Sequence, residues 1–407
     1  MTTISVTAPL WIGVPIGMCM GAVGQIWGIG NPETLIRLAR WRDRLLVGCL
    51  AITCAVGAVA LYGLYALGFS MHFAPKPMYV FGISIGGFLF GAGIAISGYL
   101  PGSELMALGE GRQDALYAFP GGLLGAAAWT LVYSTPVGQW LVHAADYGDL
   151  IASGPIQHIR PVFTFLIAVV YAAALLVGAA LLPRYARGSS CVVRAIRGRS
   201  DPNEEAWMSD TVAYLTEGGL DQSTSTRFHT LVVTDVPTGN FYSRIKLGTS
   251  VVLGLVVVFA IFLHQIFGES TTYSWFAGHL LLPNFDYTKL VIQTVGWEPF
   301  ADIGTLLGAL ITAVFVSRYF QGFRLVIPPS WRNRFGREPW KRAIGSFGGF
   351  FILMFGARMA GGCASGHMLS GGVQMAASGW LFTVAVFIGM TATARVIYRK
   401  ASEKVSG

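Results

Sequence analysis

"FGARMAGGCASGHMLSGG", residues 355–372, sets an arginine, a lone cysteine and a histidine among glycines, between two long apolar runs. Glycine weakens a helix and a buried charge is costly, so the stretch reads as a break within a membrane segment. Composition supports that setting. Hydrophobic residues make up 54% of the 407, charged residues only 12%, about half the share usual in soluble domains. The mean hydropathy is +0.58. The expectation is an all-α polytopic membrane protein. Its 52 glycines suit helices that pack closely or break.

Nine segments have the length and apolarity of spans, at about 10–30, 45–69, 78–99, 113–134, 161–182, 247–268, 300–317, 343–362 and 374–394. The N-terminal "MTTISVTAPLW" has no basic region and no small-residue cleavage site follows it, so the first span reads as retained. Segments 31–44, 183–246, 318–342 and 395–407 hold 4, 8, 7 and 4 Lys or Arg, 23 of the 28 in the chain. The alternate connections hold only Lys76, Arg160 and Lys289. Positive loops stay inside. The expected topology is therefore N-terminus outside and C-terminus in the cytoplasm. The net charge of +8 follows from the same loops, and nucleic acid is excluded as a partner.

Three regions follow: a first membrane half at 1–182 with about five spans, a cytoplasmic segment at 183–246, and a second half at 247–407 with about four. The middle segment mixes charge with Ser and Thr, as a linker does or as a docking element for a cytoplasmic partner would. "FLFGAGIAISGYLPGSELMALGEG" (88–111) echoes the opening stretch. Both begin Phe-Gly-Ala, at Phe90 and at Phe355, and both pass through Gly- and Ser-rich sequence into a further apolar helix. One copy runs inward and the other outward, which is the pattern of an inverted repeat with short broken helices lining a transport site. Close helix packing by small residues is the plainer account of the same glycines.

Arg358 precedes Cys363 by five residues and either shares its face and meets an anion or snorkels to the headgroups. Cys363 is either a small buried hydrophobe or a weak S–H donor toward an anion. His367 follows by four residues and either joins that face or caps a helix end. Gly361, Gly362, Ser365 and Gly366, with Gly98 and Gly102 of the first half, would contribute backbone N–H donors at helix ends. The five cysteines, Cys19, Cys49, Cys54, Cys191 and Cys363, fit no disulfide or zinc framework and read as free thiols. No cofactor or metal is called for, and no P-loop supports ATP hydrolysis.

At these residues the chain resembles the YeeE/YedE family of bacterial inner-membrane proteins, which includes thiosulfate transporters. The resemblance runs through "GMCMGAVGQIWGIGNPETLIRLARWRDRLLVG" (17–48), "GYLPGSELMALGEGRQDALYAFPGGLLGA" (98–126), "GALITAVFVSRYFQGFRLVIPP" (308–329) and "GSFGGFFILMFGARMAGGCASGHMLSGGVQMAASGWL" (345–381). Gly-Gly-Cys-x-x-Gly-His is its most specific element. It implies an hourglass of inverted repeats passing a small sulfur oxyanion, thiosulfate foremost, from thiol to thiol, with Cys363 the thiol of the second half. A sulfur-carrier protein would be the partner on the cytoplasmic side. The chain departs from the family where a first-half cysteine often precedes Pro-Gly: residue 100 is leucine. Tyr99, Ser103 or backbone N–H groups then replace that thiol, or the solute differs, or transport is lost and the chain is an accessory subunit of a larger membrane complex. A haem-bearing oxidoreductase using His264, His279 or His367 is disfavoured, because no facing pair lies at matching depth on two spans.

Overall fold

In the computed structural model the described residues are 8–186, 188–197, 202, 205, 206, 209, 244–263, 266–293, 296–320 and 322–399. They are helical apart from one small hairpin, Leu150–Ile151 against Gly154–Pro155. Most of 183–246, and His264, lie outside the described residues.

Four times the chain runs through a long helix, a break, a short helix and a second long helix. The first unit is α1 (Gly13–Trp27), α2 (Pro32–Ala39) and α3 (Leu45–Ala66). The second is α4 (Val80–Ser97), α5 (Pro101–Gly109) and α6 (Asp114–Tyr133). After α7 (Pro136–His143), α8 (Pro161–Leu181) and α9 (Cys191–Arg197), the third is α10 (Arg244–Phe262), α11 (Ser270–Leu281) and α12 (Glu298–Ile311). The fourth follows α13 (Pro329–Phe335). It is α14 (Pro339–Met359), a π-helical turn Ser365–Ser370 running into Gly371–Val373, and α15 (Ala377–Tyr398).

The sequence explains where the units break. Gly28, Gly98 and Gly361 end their helices at φ 76°, 75° and 76°, the left-handed conformation that costs glycine nothing and stops a helix. Proline at the first position then restarts α2 and α5, where its missing N–H is not needed. At α2 the Asn31 side chain also accepts the Glu33 N–H at 3.0 Å.

Among the described residues eight segments are long and apolar enough to cross a membrane: Leu10–Trp27, Leu45–Ala66, Val80–Gly109, Asp114–Tyr133, Pro161–Leu181, Ile245–Phe262, Glu298–Val316 and Ala377–Tyr398. The ninth expected span, 343–362, falls in α14, a full 21-residue helix. It does not qualify by composition because Lys341, Arg342 and Arg358 lie on it. The protein is a multi-pass, all-α membrane protein.

Packing obeys an exchange rule. Replace α1, α2, α3, α4, α5 and α6 by α10, α11, α12, α14, 365–373 and α15, and the packed pairs map onto one another. Thus α1 lies on α12 as α10 does on α3, α4 on α15 as α14 on α6, and α2 on α4 as α11 on α14. Five membrane-length helices separate the start of α1 from that of α10. An odd number makes the two sets antiparallel, the geometry of an inverted repeat. The pair α4 and α14 is its own image. There a Cβ added at Gly86 would lie 2.5 Å from Gly356 O, and one at Gly356 would lie 2.5 Å from Gly86 O. Two backbones touch at this crossing, and only glycine permits it. The remaining long helix, α8, packs on α3 outside the exchange.

Candidate functional site

The short helices begin close together, and their starts build the site. Cys363 sits in the break after α14, fully buried. Its Sγ is 3.1 Å from Ser365 Oγ and 3.8 Å from Glu269 Oε2, and the Ser365 hydroxyl donates a very short hydrogen bond to that same oxygen. Glu269 immediately precedes α11, its side chain making no cap hydrogen bond there. A Cβ added at Gly102, on the first turn of α5, would lie 2.5 Å from Glu269 Oε1. One carboxylate thus joins the second-half break to the first-half segment 98–103, although no sequence pattern had drawn Glu269 into the site.

Arg358 is 5% exposed, which rules out snorkelling. Its Nε and Nη2 donate to Tyr287 Oη at 2.9 and 2.6 Å, and its Nη1 donates to Ser270 Oγ at 3.2 Å. Both partners are neutral hydroxyls, so none of these hydrogen bonds neutralises the guanidinium charge. Lys76 was read only as a charge in an outer connection, yet it also reaches this place. Its Cε lies 3.5 and 3.6 Å from where Cβ atoms at Gly362 and Gly366 would stand. The charged side chains near it are Arg358 and Glu298. Gly361 is where the chain turns, directly against the Tyr79 hydroxyl.

His367 is one turn on from Cys363, its backbone N–H donating to Cys363 O at 2.9 Å, but its ring is engaged elsewhere. Its ring stacks on Phe382 at 4.5 Å and Nε2 lies 2.9 Å from Ala360 O. A carbonyl can only accept, so Nε2 carries the proton and the imidazole ties the fourth short turn to the end of α14. His279 is exposed, with Nδ1 3.0 Å from Trp275 O. Among the described residues no group of three or more His, Cys, Asp or Glu is placed to hold a metal ion. Cys19, Cys49, Cys54 and Cys363 are free thiols; the Cys191 side chain is outside the described set.

The first-half break is built differently. Gly98 packs on Pro32, and Ser103 Oγ accepts the Leu100 N–H at 2.7 Å, so that hydroxyl serves the start of α5. Tyr99 turns away, under the Arg342 guanidinium at 5.5 Å. Arg342 is wholly buried. It donates to Asp114 Oδ2 from Nε at 2.9 Å and from Nη2 at 2.8 Å, and Nη2 also donates to Ser97 O at 2.7 Å. Arg112 Nε stands 3.4 Å from Asp114 Oδ1.

A cavity of about 150 Å³ opens below the site. Leu100, Gly102, Ser103, Glu269 and Ser365 line its upper part, and Met20, Met106, Met368 and Met390 are among the otherwise apolar walls. Of the substitutes for a first-half thiol, Ser103 and the backbone at Gly102 border this space, whereas Tyr99 does not.

Comparison with known proteins places this arrangement. The chain is 24% identical over 394 residues to the thiosulfate transporter TsuA of Spirochaeta thermophila, a match covering 96% of this chain and all of that protein. Residues 32–392 match the sulphur transport family, a stretch that begins at α2 and includes the second, third and fourth breaks. The chain belongs to the sulphur transport family.

Proposed function

We propose that the protein carries a small sulfur oxyanion, thiosulfate first among them, across the bacterial inner membrane at the Cys363 break. The observation behind this reading is a buried thiol beside a buried arginine whose hydrogen bonds all go to neutral groups. A dianion cannot enter hydrocarbon without compensating charge or dipoles. Arg358 and Lys76 supply the charge; the Gly361 and Gly362 N–H groups are already donated to Arg358 O and Ala357 O. The thiol adds a weak donor suited to a polarisable sulfur, and weak holding favours release. In this reading residues 1–182 and 247–407 are the two halves, 183–246 is the cytoplasmic connection that a sulfur-carrier protein would meet, and the N-terminus is periplasmic. The charge distribution among the loops supports that orientation.

An accessory role in a larger complex has one observation in its favour, the almost wholly apolar cavity at Leu100. Uptake of radiolabelled thiosulfate into proteoliposomes separates the two readings. The transport reading expects saturable uptake by the wild type, lost in Cys363→Ala at equal inserted protein. No uptake by the wild type selects the accessory role.

A further inference from the structure

Anion passage leaves Glu269 unexplained. It is 4% exposed, Oε2 takes the Ser365 hydroxyl and the Cys363 thiol, and Oε1 has no partner where it faces Gly102 and the cavity. A buried carboxylate beside an anion path opposes the anion as long as it is ionised, and the low dielectric strengthens that repulsion. Once protonated it loses the charge and gains an O–H that can donate to an anion oxygen.

We propose that Glu269 is a proton site coupled to anion passage, so that the sulfur anion crosses this point together with one proton on the Glu269 carboxyl. The proposal rests on the transport reading of the same site. Binding of each ligand favours the other, as reciprocity between coupled sites requires. The proton enters from the water on the anion's side and leaves to the water on the other, so each passage of a dianion moves a net charge of −1. The groups facing Glu269 are consistent with this exchange. Cys363 and Ser365 approach from the fourth break and Tyr273 lies on its own helix. On α12, Asp302 is 5% exposed with neither carboxylate oxygen partnered, and Glu298 stands at the start of that helix. Glu104 on α5 accepts the Tyr273 hydroxyl at 2.7 Å. The cations Arg358 and Lys76 are bound up with Tyr287, Ser270 and the Gly362 turn, and no hydrogen bond or ion pair joins either to Glu269. Hydroxyl and thiol neighbours suit a proton, and among the described residues no ligand set for a metal ion is present.

The test is thiosulfate affinity of the purified full-length protein from acid to alkaline pH, since thiosulfate itself stays a dianion throughout. The wild type should weaken by about tenfold per pH unit once Glu269 ionises, the slope of one linked proton. Glu269→Gln, neutral at every pH, should bind with pH-independent affinity, and Glu269→Asp should restore the slope. In proteoliposomes an inward proton gradient should drive accumulation by the wild type, whereas Glu269→Gln should only equilibrate. Wild-type affinity flat in pH would overturn the coupling and leave transport standing, as would accumulation driven by a sodium gradient alone. A slope that survives in Glu269→Gln would remove Glu269 from the role. No thiosulfate binding or uptake at any pH would defeat the transport reading and this proposal with it.

Discussion

Arg342 and Arg358 lie sixteen residues apart on α14, and each serves one helix break. Both are buried, yet their partners differ in kind. Arg342 meets the Asp114 carboxylate and the last carbonyl of α4 through Nε and Nη2, so its charge is neutralised. Arg358 meets two hydroxyls and keeps its charge. One helix therefore carries a lock at one end and the proposed anion site at the other, and partner chemistry, not burial, distinguishes them. The missing thiol fits the same contrast: the locked break has Leu100, the open break Cys363.

The sharpest way to break the contrast is Asp114→Ala. It leaves Arg342 buried beside Arg112 without its counter-ion, and loss of one member of a buried pair costs about 3–5 kcal/mol. The expected outcome is a protein that fails to survive detergent extraction, or melts far below the wild type, as read by fluorescence-detected gel filtration after heating. Arg358→Gln should do the opposite, leaving the melting curve close to wild type and lowering thiosulfate uptake about 10- to 100-fold. That range corresponds to one charge-assisted hydrogen bond of about 1.5–3 kcal/mol. If Arg358→Gln instead unfolds the protein and preserves specific uptake, the two arginines do the same work and the comparison fails.

A smaller effect tests the scaffold between them. Gly86→Ala puts a methyl into the Gly356 carbonyl and should cost about 1–3 kcal/mol by overpacking. Gly348→Ala, on the same α14 and with open space around it, should change stability by no more than about 0.5 kcal/mol. Thermal melts of the two variants side by side decide the point. The least effect is expected for Leu100→Cys, which returns a thiol to the first break. Uptake should rise by about two- to fivefold, the worth of one weak hydrogen bond, and unchanged uptake would mean that Ser103 and the backbone already serve.

The breaks were legible in the sequence because a glycine cluster, a charge and a lone thiol are each conspicuous in an apolar run. That holds for Gly98, Gly361, Arg358 and Cys363. Glu269 was not legible: it follows the sixth apolar run, where a carboxylate looks interfacial, and its partners lie 94 and 96 residues away. Lys76 was hidden in the same way, as a loop cation with no local pattern to bring it against Gly362. His367 had the spacing to face Cys363, but its ring is taken up by Phe382 and the Ala360 carbonyl, contacts that spacing does not reveal. Nor could periodicity foresee the apolar cavity, whose walls come from dispersed residues of both halves.

The glycine crossing of α4 and α14 bears on how a carrier of this build can move. Two backbones in direct contact, each lodged against the other's carbonyl, have no cushion of side chains through which to tilt or slide. Large rocking of one half against the other would have to tear that contact open, so the crossing acts as a fixed pin and the moving parts are the short helices around it. Cycling then amounts to small, local shifts of four helix starts by a residue's width or less. Such a stroke sets a ceiling on cargo: it can pass an ion of a few heavy atoms and cannot admit a bulky metabolite.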